Sequence, residues 1–205
     1  MLCKICNNEL EIGSNIFEYF FDDDVICKKC RNQFEVHNKY IEVGNVKIYC
    51  LYVYNDYFER VMFWFKECLD IYLKDVFIYR YIKYINNKYD GYTIVYVPSS
   101  EKKNKNRTFI ALEEIFSNLT LNKVNCLYKI SDIKQNIKSM NERSEISKHI
   151  VIDKTKLKNI EKVLLVDDVC TSGNSIKAAY TLLKEYINII EVLCVAIHPL
   201  CIKEE

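Results

Sequence analysis

Glycine is scarce in this sequence, with only four residues among 205, at positions 13, 44, 91 and 173. P-loops and dinucleotide-binding loops both need closely spaced glycines, because only a bare backbone can approach the phosphates in those folds. None of the four glycines falls into either spacing. The scarcity therefore excludes these two nucleotide-binding motifs.

The sequence also lacks a charge imbalance and any long hydrophobic run. Its formal net charge is +1 and its pI is near 7.4, which gives no overall electrostatic reason to expect a nucleic acid or a membrane partner, although a local patch can hide in a balanced total. No apolar stretch is long enough to cross a bilayer, and the opening MLCKICNNEL has no signal-peptide core. We expect no membrane span, a cytoplasmic protein and reduced thiols.

Cysteine, in contrast, is abundant, with ten residues. Four of them read C-x2-C, twenty residues, C-x2-C. Two such knuckles bring four thiolates to one tetrahedral zinc ion, and a closed four-thiolate site is structural because no coordination position stays open. The alternative is that these cysteines are small buried hydrophobic residues, which suits Cys50, Cys68, Cys126 and Cys194. The spacing favours a zinc finger over residues 1–38, with zinc ligands Cys3, Cys6, Cys27 and Cys30.

The segment after the finger is rich in aromatic and β-branched residues. Two extended stretches around Gly44-Asn45 predict a β-hairpin. Between Tyr57 and Ile85, apolar residues recur every three or four positions, which predicts one or two helices. The many tyrosines here suit core and interface packing, and the alternative is a surface on which nucleic-acid bases stack.

The rest of the chain alternates strands with helices. We predict helices over Arg107–Leu119 and Ser175–Tyr186. Strand-like apolar runs cover Tyr92–Ser100, Val124–Tyr128, His149–Ile152, Lys162–Val166 and Ile189–Ile197. This order predicts an α/β fold with a mostly parallel sheet flanked by helices. Ligands of such sheets bind beyond the carboxyl ends of the strands, where Ser99-Ser100 and Asp167-Asp168 are expected.

The stretch VLLVDDVCTSGNSI, from Val163 to Ile176, combines a buried strand, two acids and a small polar loop. Backbone N–H groups at a helix start, together with hydroxyls and a glycine, form a cradle for an anion such as phosphate. The two acids would repel that phosphate, so they must face a metal or hydroxyl donors. A phosphorylated sugar satisfies both halves. The alternative is that the acids cap a helix or face solvent.

This stretch resembles the phosphoribosyl-pyrophosphate (PRPP) motif of type I phosphoribosyltransferases. The resemblance implies that Asp167 and Asp168 bind the ribose hydroxyls of PRPP or ribose 5-phosphate. It also implies that the 5′-phosphate is bound by Thr171, Ser172, Gly173, Asn174 and Ser175. Together with the four-cysteine finger, the chain resembles the ComF family of competence proteins (ComFC/GntX-like), with a phosphoribosyltransferase-like domain over residues 39–205. Arg107, Phe109, Gln135 and Arg143 match further parts of the family pattern, whereas Thr108 and Ile110 stand where the family usually has Gly and Asn.

The resemblance carries further expectations about ligands and partners. If PRPP binds, Mg²⁺ accompanies it and the pyrophosphate lies near Ser99, Lys102, Lys103 and Arg107. No acceptor site is identifiable, which leaves enzymatic turnover open. The family implies single-stranded DNA uptake in natural transformation, in cooperation with a ComFA-type helicase. Lysine runs at 102–107 and 154–162 could contact phosphates or be solvated loops. The alternative function is an active phosphoribosyltransferase in nucleotide metabolism.

Overall fold

The computed structural model describes residues 1–10, 24–99, 107–129 and 150–202. The strands are β1 Val36–Val43, β2 Val46–Val53, β3 Thr93–Tyr96, β4 Asn122–Val124, β5 Leu127–Lys129, β6 Ile150–Ile152, β7 Lys162–Cys170 and β8 Ile189–Ile197. The α-helices are α1 Lys28–Arg31, α2 Asp56–Lys66, α3 Ile82–Lys88, α4 Ala111–Ile115 and α5 Asn174–Lys184. Short 3-10 segments cover Ile71–Val76, Tyr79–Tyr81, Lys154–Leu157 and Pro199–Cys201.

Six strands form one sheet in the order β1-β2-β8-β7-β3-β4. Strands β2, β8, β7, β3 and β4 run parallel, while β1 is an antiparallel edge strand paired with β2. A separate antiparallel pair joins β5 to β6. The α/β prediction is therefore confirmed, and the carboxyl ends of five strands meet at one edge of the sheet.

The alternation of side chains along β7 divides the core between the two faces of the sheet. Leu164 and Val166 pack with the apolar side chains of α2, α3 and α4, whereas Val163 and Leu165 pack with those of α5. All four side chains are fully buried, and each contributes about 1.5–3 kcal/mol through burial. The central strand is thereby fixed from both sides, which also fixes the direction of the polar residues that follow.

The hairpin predicted around Gly44-Asn45 is confirmed. Val43 pairs with Val46 across the turn, and Gly44 has a φ of +64°, a conformation that costs glycine little. Strand β1 begins at Val36 and so crosses the expected boundary between residues 38 and 39, and the division into two domains stays a prediction.

Three predicted elements differ in the structure. The predicted strand Val124–Tyr128 is split between β4 and β5, which belong to different sheets. The predicted helix Arg107–Leu119 is regular only over α4. The helical periodicity after Tyr57 becomes α2, two 3-10 segments and α3, because Leu69 has a φ of +61° and interrupts the helix. Within the described ranges, no helix is long and apolar enough to cross a membrane.

The cysteine-rich amino-terminal segment packs on the side of the sheet that α2, α3 and α4 cover. Its residues Cys3, Ile26 and Cys30 are buried in the same apolar cluster as the α2 side chains. Arg31 is 7% exposed, forms a two-nitrogen ion pair with Asp24, and donates to the Tyr52 hydroxyl and the Val76 carbonyl. These buried polar contacts hold the segment against β2 and the 3-10 segment that follows α2.

Candidate functional site

The two acids of the VLLVDDV stretch lie inside β7 rather than after it. The sequence predicted that the strand ends at Val166, but pairing with β8 continues through Asp167↔Cys194 to Cys170↔Ile197. The strand is longer because its neighbour offers backbone partners as far as Ile197. Since successive strand side chains alternate, Asp167 and Asp168 point to opposite faces of the sheet. A ribose that contacts both carboxylates must therefore lie across the strand.

Asp168 points to the face covered by α2, where it forms an ion pair with Lys66, the last residue of that helix. The two side chains are only 19% and 16% exposed, so the pair is weakly screened by solvent. A carboxylate in such a pair remains an oriented acceptor, with lone pairs left for a ligand hydroxyl.

Asp167 points to the opposite face and has a different environment. Its Oδ1 accepts a hydrogen bond from the backbone N–H of Asp168 at 2.9 Å. Burial and the neighbouring Asp168 charge raise the pKa of Asp167 to about 8, against the opposing influence of Lys66 and Lys129. Asp167 thus holds its proton at neutral pH and can donate a hydrogen bond.

The small polar loop follows β7 and leads into α5. Thr171 and Ser172 are exposed, Gly173 has a φ of +68°, and no side chain caps the helix start at Asn174. A Cβ on Gly173 would lie 2.7 Å from Cγ1 of Val43 at the end of β1, so glycine is required by both conformation and space. The N–H groups of the first helical turn have no side-chain cap, and Ser175 lies half-buried beside them, so these donors are available to an anion.

Two other predicted ligand contacts, Ser99 and Arg107, belong to the described residues. Ser99 follows β3 and is half-buried. Arg107 is 7% exposed and forms an ion pair with Glu67, and among the described residues its buried Nε has no hydrogen-bond partner. Lys102 and Lys103 lie outside the described residues, as do Gln135 and Arg143. Two successive residues, Lys66 and Glu67, therefore connect the acid edge to Arg107.

Several residues at this edge were not found from the sequence. They are Lys66, Glu67, Lys129 and the pair Tyr54 and His198, whose rings stack with centroids 6.1 Å apart. Tyr54 follows β2 and His198 follows β8. Tyr54, Lys129 and His198 end or directly follow predicted strands, which was the available signal for them. Lys66 and Glu67 lie inside the predicted helical region and gave no such signal.

The four predicted zinc ligands come together. One ligand atom from each of Cys3, Cys6, Cys27 and Cys30 lies within 4.8 Å of all the others, and the Sγ atoms of Cys6 and Cys27 are 3.6 Å apart. Tetrahedral zinc with Zn–S bonds of about 2.3 Å needs sulfur atoms about 3.8 Å apart. Although burial opposes it, hydrogen bonding to backbone groups of Cys6, Cys27 and Ile5 lowers the pKa of Cys3 to about 7. The cluster can hold a metal ion.

The remaining cysteines correct one expectation. Cys50, Cys126 and Cys194 are buried, as expected of small hydrophobic residues, but Cys68 is exposed. Cys68 follows the end of α2, where the chain turns away at Leu69 and leaves the thiol at the surface.

The lysines of the second basic run sit beside tyrosines. Lys154 lies over the ring of Tyr186, and Lys156 forms a hydrogen bond with the hydroxyl of Tyr128. Both lysines and Lys158 are exposed. Lys154 and Lys156 thus each lie beside an exposed tyrosine.

Comparisons with known proteins identify the family of this chain. The family model described as "Phosphoribosyl transferase domain" matches residues 99–203, just over half of the chain. A solved hypoxanthine phosphoribosyltransferase from Staphylococcus aureus is similar with a TM-score of 0.40 and 12% identity, over 63% of this chain and 65% of that one. The chain thus spans less than two thirds of that protein, and no curated protein matches. On the family match, which includes β7, the polar loop and α5, the chain belongs to the phosphoribosyl transferase domain family.

Proposed function

We propose that this chain binds PRPP or ribose 5-phosphate at the carboxyl edge of its sheet and acts in single-stranded DNA uptake as a ComF-type competence protein. One observation carries the ligand half of the proposal: two adjacent acids in β7 are followed by a left-handed Gly173 and an uncapped helix start. Acids for hydroxyls and backbone donors for a phosphate are the two requirements of a phosphorylated sugar.

The residues divide the ligand between them. Asp167 and Asp168 bind the ribose hydroxyls, and Thr171, Ser172, Gly173, Asn174 and Ser175 surround the 5′-phosphate. The helix start supplies partial positive charge and free N–H donors to the phosphate, while the acids stay on the strand and away from it. This separation lets one site hold both an anion and its neutral hydroxyls.

The pyrophosphate of PRPP is assigned to Ser99, Lys102, Lys103 and Arg107. Arg107 supports this assignment because its buried Nε is a donor that lacks a partner among the described residues. Mg²⁺, bound with PRPP, supplies charge neutralisation for the pyrophosphate. The side chains of this chain orient the ribose and hold the 5′-phosphate fixed.

The metal site is assigned to zinc with a structural role. Four thiolates fill the tetrahedral positions and leave none for a substrate. Since Cys3 and Cys30 belong to the core cluster that α2 shares, zinc would hold the amino-terminal segment in its packed position.

The DNA half of the proposal rests on the resemblance to the ComF family and on the basic and aromatic surface around Lys154 and Lys156. Phosphates would contact the lysines of the 102–107 and 154–162 runs, and bases would stack on exposed tyrosines such as Tyr128 and Tyr186. A ComFA-type helicase is the expected protein partner, and it enters through the resemblance alone.

A catalytically active phosphoribosyltransferase in nucleotide metabolism is the second candidate, and the family match favours it. Transfer would pass through an oxocarbenium-like state at the ribose C1, stabilised by positioning and by neutralising the departing pyrophosphate rather than by a covalent nucleophile. The stacked rings of Tyr54 and His198 lie at the same sheet edge as the acids.

Two measurements test and separate these functions. Calorimetry with PRPP and ribose 5-phosphate should show saturable binding of both, and the absence of either would refute the ligand assignment. Pyrophosphate release from PRPP across a panel of purine and pyrimidine bases reports turnover. Release with one base would favour the enzyme, whereas binding without release, together with salt-dependent binding of single-stranded DNA, would favour the uptake protein.

A further inference from the structure

The acid edge concentrates negative charge where a negatively charged ligand must bind. Asp167 and Asp168 are adjacent in a buried sheet, and the proposed ligand adds a phosphate to the same edge. A cation paired with one of these carboxyl groups offsets the negative charge and holds the carboxylate oxygens in one orientation. The cation that contacts this pair is therefore part of the binding site.

Lys66 is placed to be that cation. It ends α2, and α2 is anchored by the buried side chains of Phe58, Val61, Met62 and Phe65. The ammonium reaches Asp168 from a packed helix rather than from a loop, and both side chains are more than four-fifths buried. Its position is thus fixed by the core before any ligand arrives.

The other groups around the two acids have different roles. Burial, and then the charges of Glu59 and Asp168, raise the pKa of the Tyr54 phenol. Tyr54 is therefore neutral. Cys170 and Cys194 lie near Asp167, and burial raises the pKa of each thiol, so neither carries charge. Lys129 is the second cation, and its charge acts on Asp167. Among the described residues, Lys66 is the ion-pair partner of Asp168.

We propose that Lys66 is a positioning residue for ribose: its ion pair holds the Asp168 carboxylate in the orientation in which it accepts hydrogen bonds from the ligand hydroxyls. Lys66 precedes the segment that matches the family, residues 99–203, so this chain supplies a necessary charge from outside that segment. The inference rests on the proposed binding of a ribose phosphate. It adds that the affinity for the sugar, but not for the phosphate group, depends on a side chain of α2.

The next residue supports a positioning role for the helix end. Glu67 forms an ion pair with Arg107, which is assigned to the pyrophosphate side. One helix end thus contacts an acid on the ribose side and a base on the pyrophosphate side. Because α2 is a single rigid element, it sets the distance between the two halves of the proposed site.

The test compares Lys66→Met with Lys66→Arg, using Lys74→Met as the matched control. Lys74 also forms a helix-side ion pair, with Glu114 at 2.9 Å, but away from the acids. Calorimetry with ribose 5-phosphate at one fixed pH gives the affinity of each variant relative to the unmodified chain. Inorganic sulfate reports the phosphate cradle alone, and the fluorescence of Trp64, the single tryptophan, monitors folding.

In Lys66→Met the Asp168 carboxylate loses the ammonium that orients it. We expect ribose 5-phosphate to bind about tenfold more weakly than in the unmodified chain, the loss expected when a hydrogen bond to a charged acceptor is weakened. Sulfate binding should change by less than about twofold, because screening weakens a charge that is not in contact. Lys66→Arg and Lys74→Met should bind like the unmodified chain.

The outcomes separate this inference from the proposed function. If Lys66→Met binds ribose 5-phosphate normally, Lys66 does not position Asp168, and the proposed function stands. If the variant loses ribose 5-phosphate and sulfate equally, or if Lys66→Arg does not restore binding, Lys66 is only structural and the inference is wrong. If the unmodified chain binds neither ribose 5-phosphate nor PRPP, the proposed function and the inference fail together.

Discussion

The cysteine cluster and the acid edge are both sites of concentrated polar chemistry, but they are held together in opposite ways. The cluster is made by two short knuckles whose four thiols lie close enough to hold a metal ion, which would be their common partner. The acid edge is made by a central strand that the sheet fixes on both sides, with α2 contributing a charge from about a hundred residues away in the chain. A metal-held site should fail all at once, whereas a sheet-held site should lose its functions one residue at a time.

Removing one metal ligand should have the largest effect. In Cys27→Ser the remaining three thiolates no longer close the site, and structural zinc contributes about 10 kcal/mol or more of apparent binding energy in small modules. We expect loss of the metal and rapid proteolysis within the first thirty-odd residues, measured by metal analysis and limited digestion. Cys68→Ser, at an exposed thiol, is the control. A Cys27→Ser chain with full metal content would show that the four thiolates do not form the metal site.

Replacing the loop glycine should be the next largest change. In Gly173→Ala the new Cβ meets Val43 at 2.7 Å in addition to the positive φ, whereas in Gly91→Ala, with φ +76°, nothing lies within 4 Å. The conformational cost alone is about 1–2 kcal/mol. We expect Gly91→Ala to lose only this stability, and Gly173→Ala to lose more and to bind PRPP, ribose 5-phosphate and sulfate poorly. Normal sulfate binding by Gly173→Ala would contradict the assignment of this loop to the phosphate.

A change at the second acid should separate the sugar from the phosphate. Asp168→Asn removes a charged acceptor, worth about 1.5–3 kcal/mol in hydrogen bonding. Ribose 5-phosphate and PRPP should bind about ten- to a hundredfold more weakly by calorimetry, since 1.4 kcal/mol is a factor of ten. Sulfate should bind as before. Equal loss of sulfate would mean that Asp168 supports the whole loop rather than the ribose.

The first acid makes a prediction about pH and stability. Because burial raises the pKa of Asp167 to about 8, the folded protein holds a proton that the unfolded chain releases near pH 4. The folded state therefore binds more protons across this interval, and its stability contribution falls as the pH rises from about 4 to 8. Asp167→Asn should remove this decline, so that the difference in free energy of unfolding between the two proteins grows toward pH 8. Urea titrations at pH 5 and 8 measure it, and an unchanged difference would contradict the raised pKa.

The smallest effect is expected from the surface lysines. Neutralising Lys102, Lys103 and Lys105 together should flatten the salt dependence of single-stranded DNA binding by up to about 0.7 units of slope for each lost phosphate contact. Arg107 is left unchanged because it is buried and ion-paired. Lys154→Gln with Lys156→Gln is the comparison set, at lysines placed beside tyrosine rings. An identical slope in both sets and in the unmodified chain would show that the two runs are only solvated loops.

The two regions also differ in what their sequences reveal. All four cysteines of the cluster follow from spacing, because each knuckle is local in the chain and its geometry is set by two intervening residues. The loop from Thr171 to Ser175 is local in the same sense, and so is β8, which matches its predicted bounds. The role of Lys66 could not be predicted, because it depends on α2 packing against the face of the sheet to which Asp168 points. No local sequence pattern indicates which helix covers that face. The extension of β7 past Val166 likewise depends on its pairing with β8. The polar residues Asp167 and Asp168 do not by themselves indicate that the strand continues.

The contact between Gly173 and Val43 has a consequence for how this fold can change over time. The loop that follows β7 rests on the end of an edge hairpin that precedes the family-matched segment, so the two positions cannot vary independently. A smaller residue at position 43 would make room for a Cβ at position 173, but the positive φ of Gly173 would still disfavour that Cβ. Any substitution of Gly173 therefore has both a steric and a conformational cost. A chimera that carried residues 99–203 onto another sheet would leave the loop without the side chain it rests on. The motif and the hairpin should therefore be inherited as one unit, even though more than a hundred residues separate them along the chain.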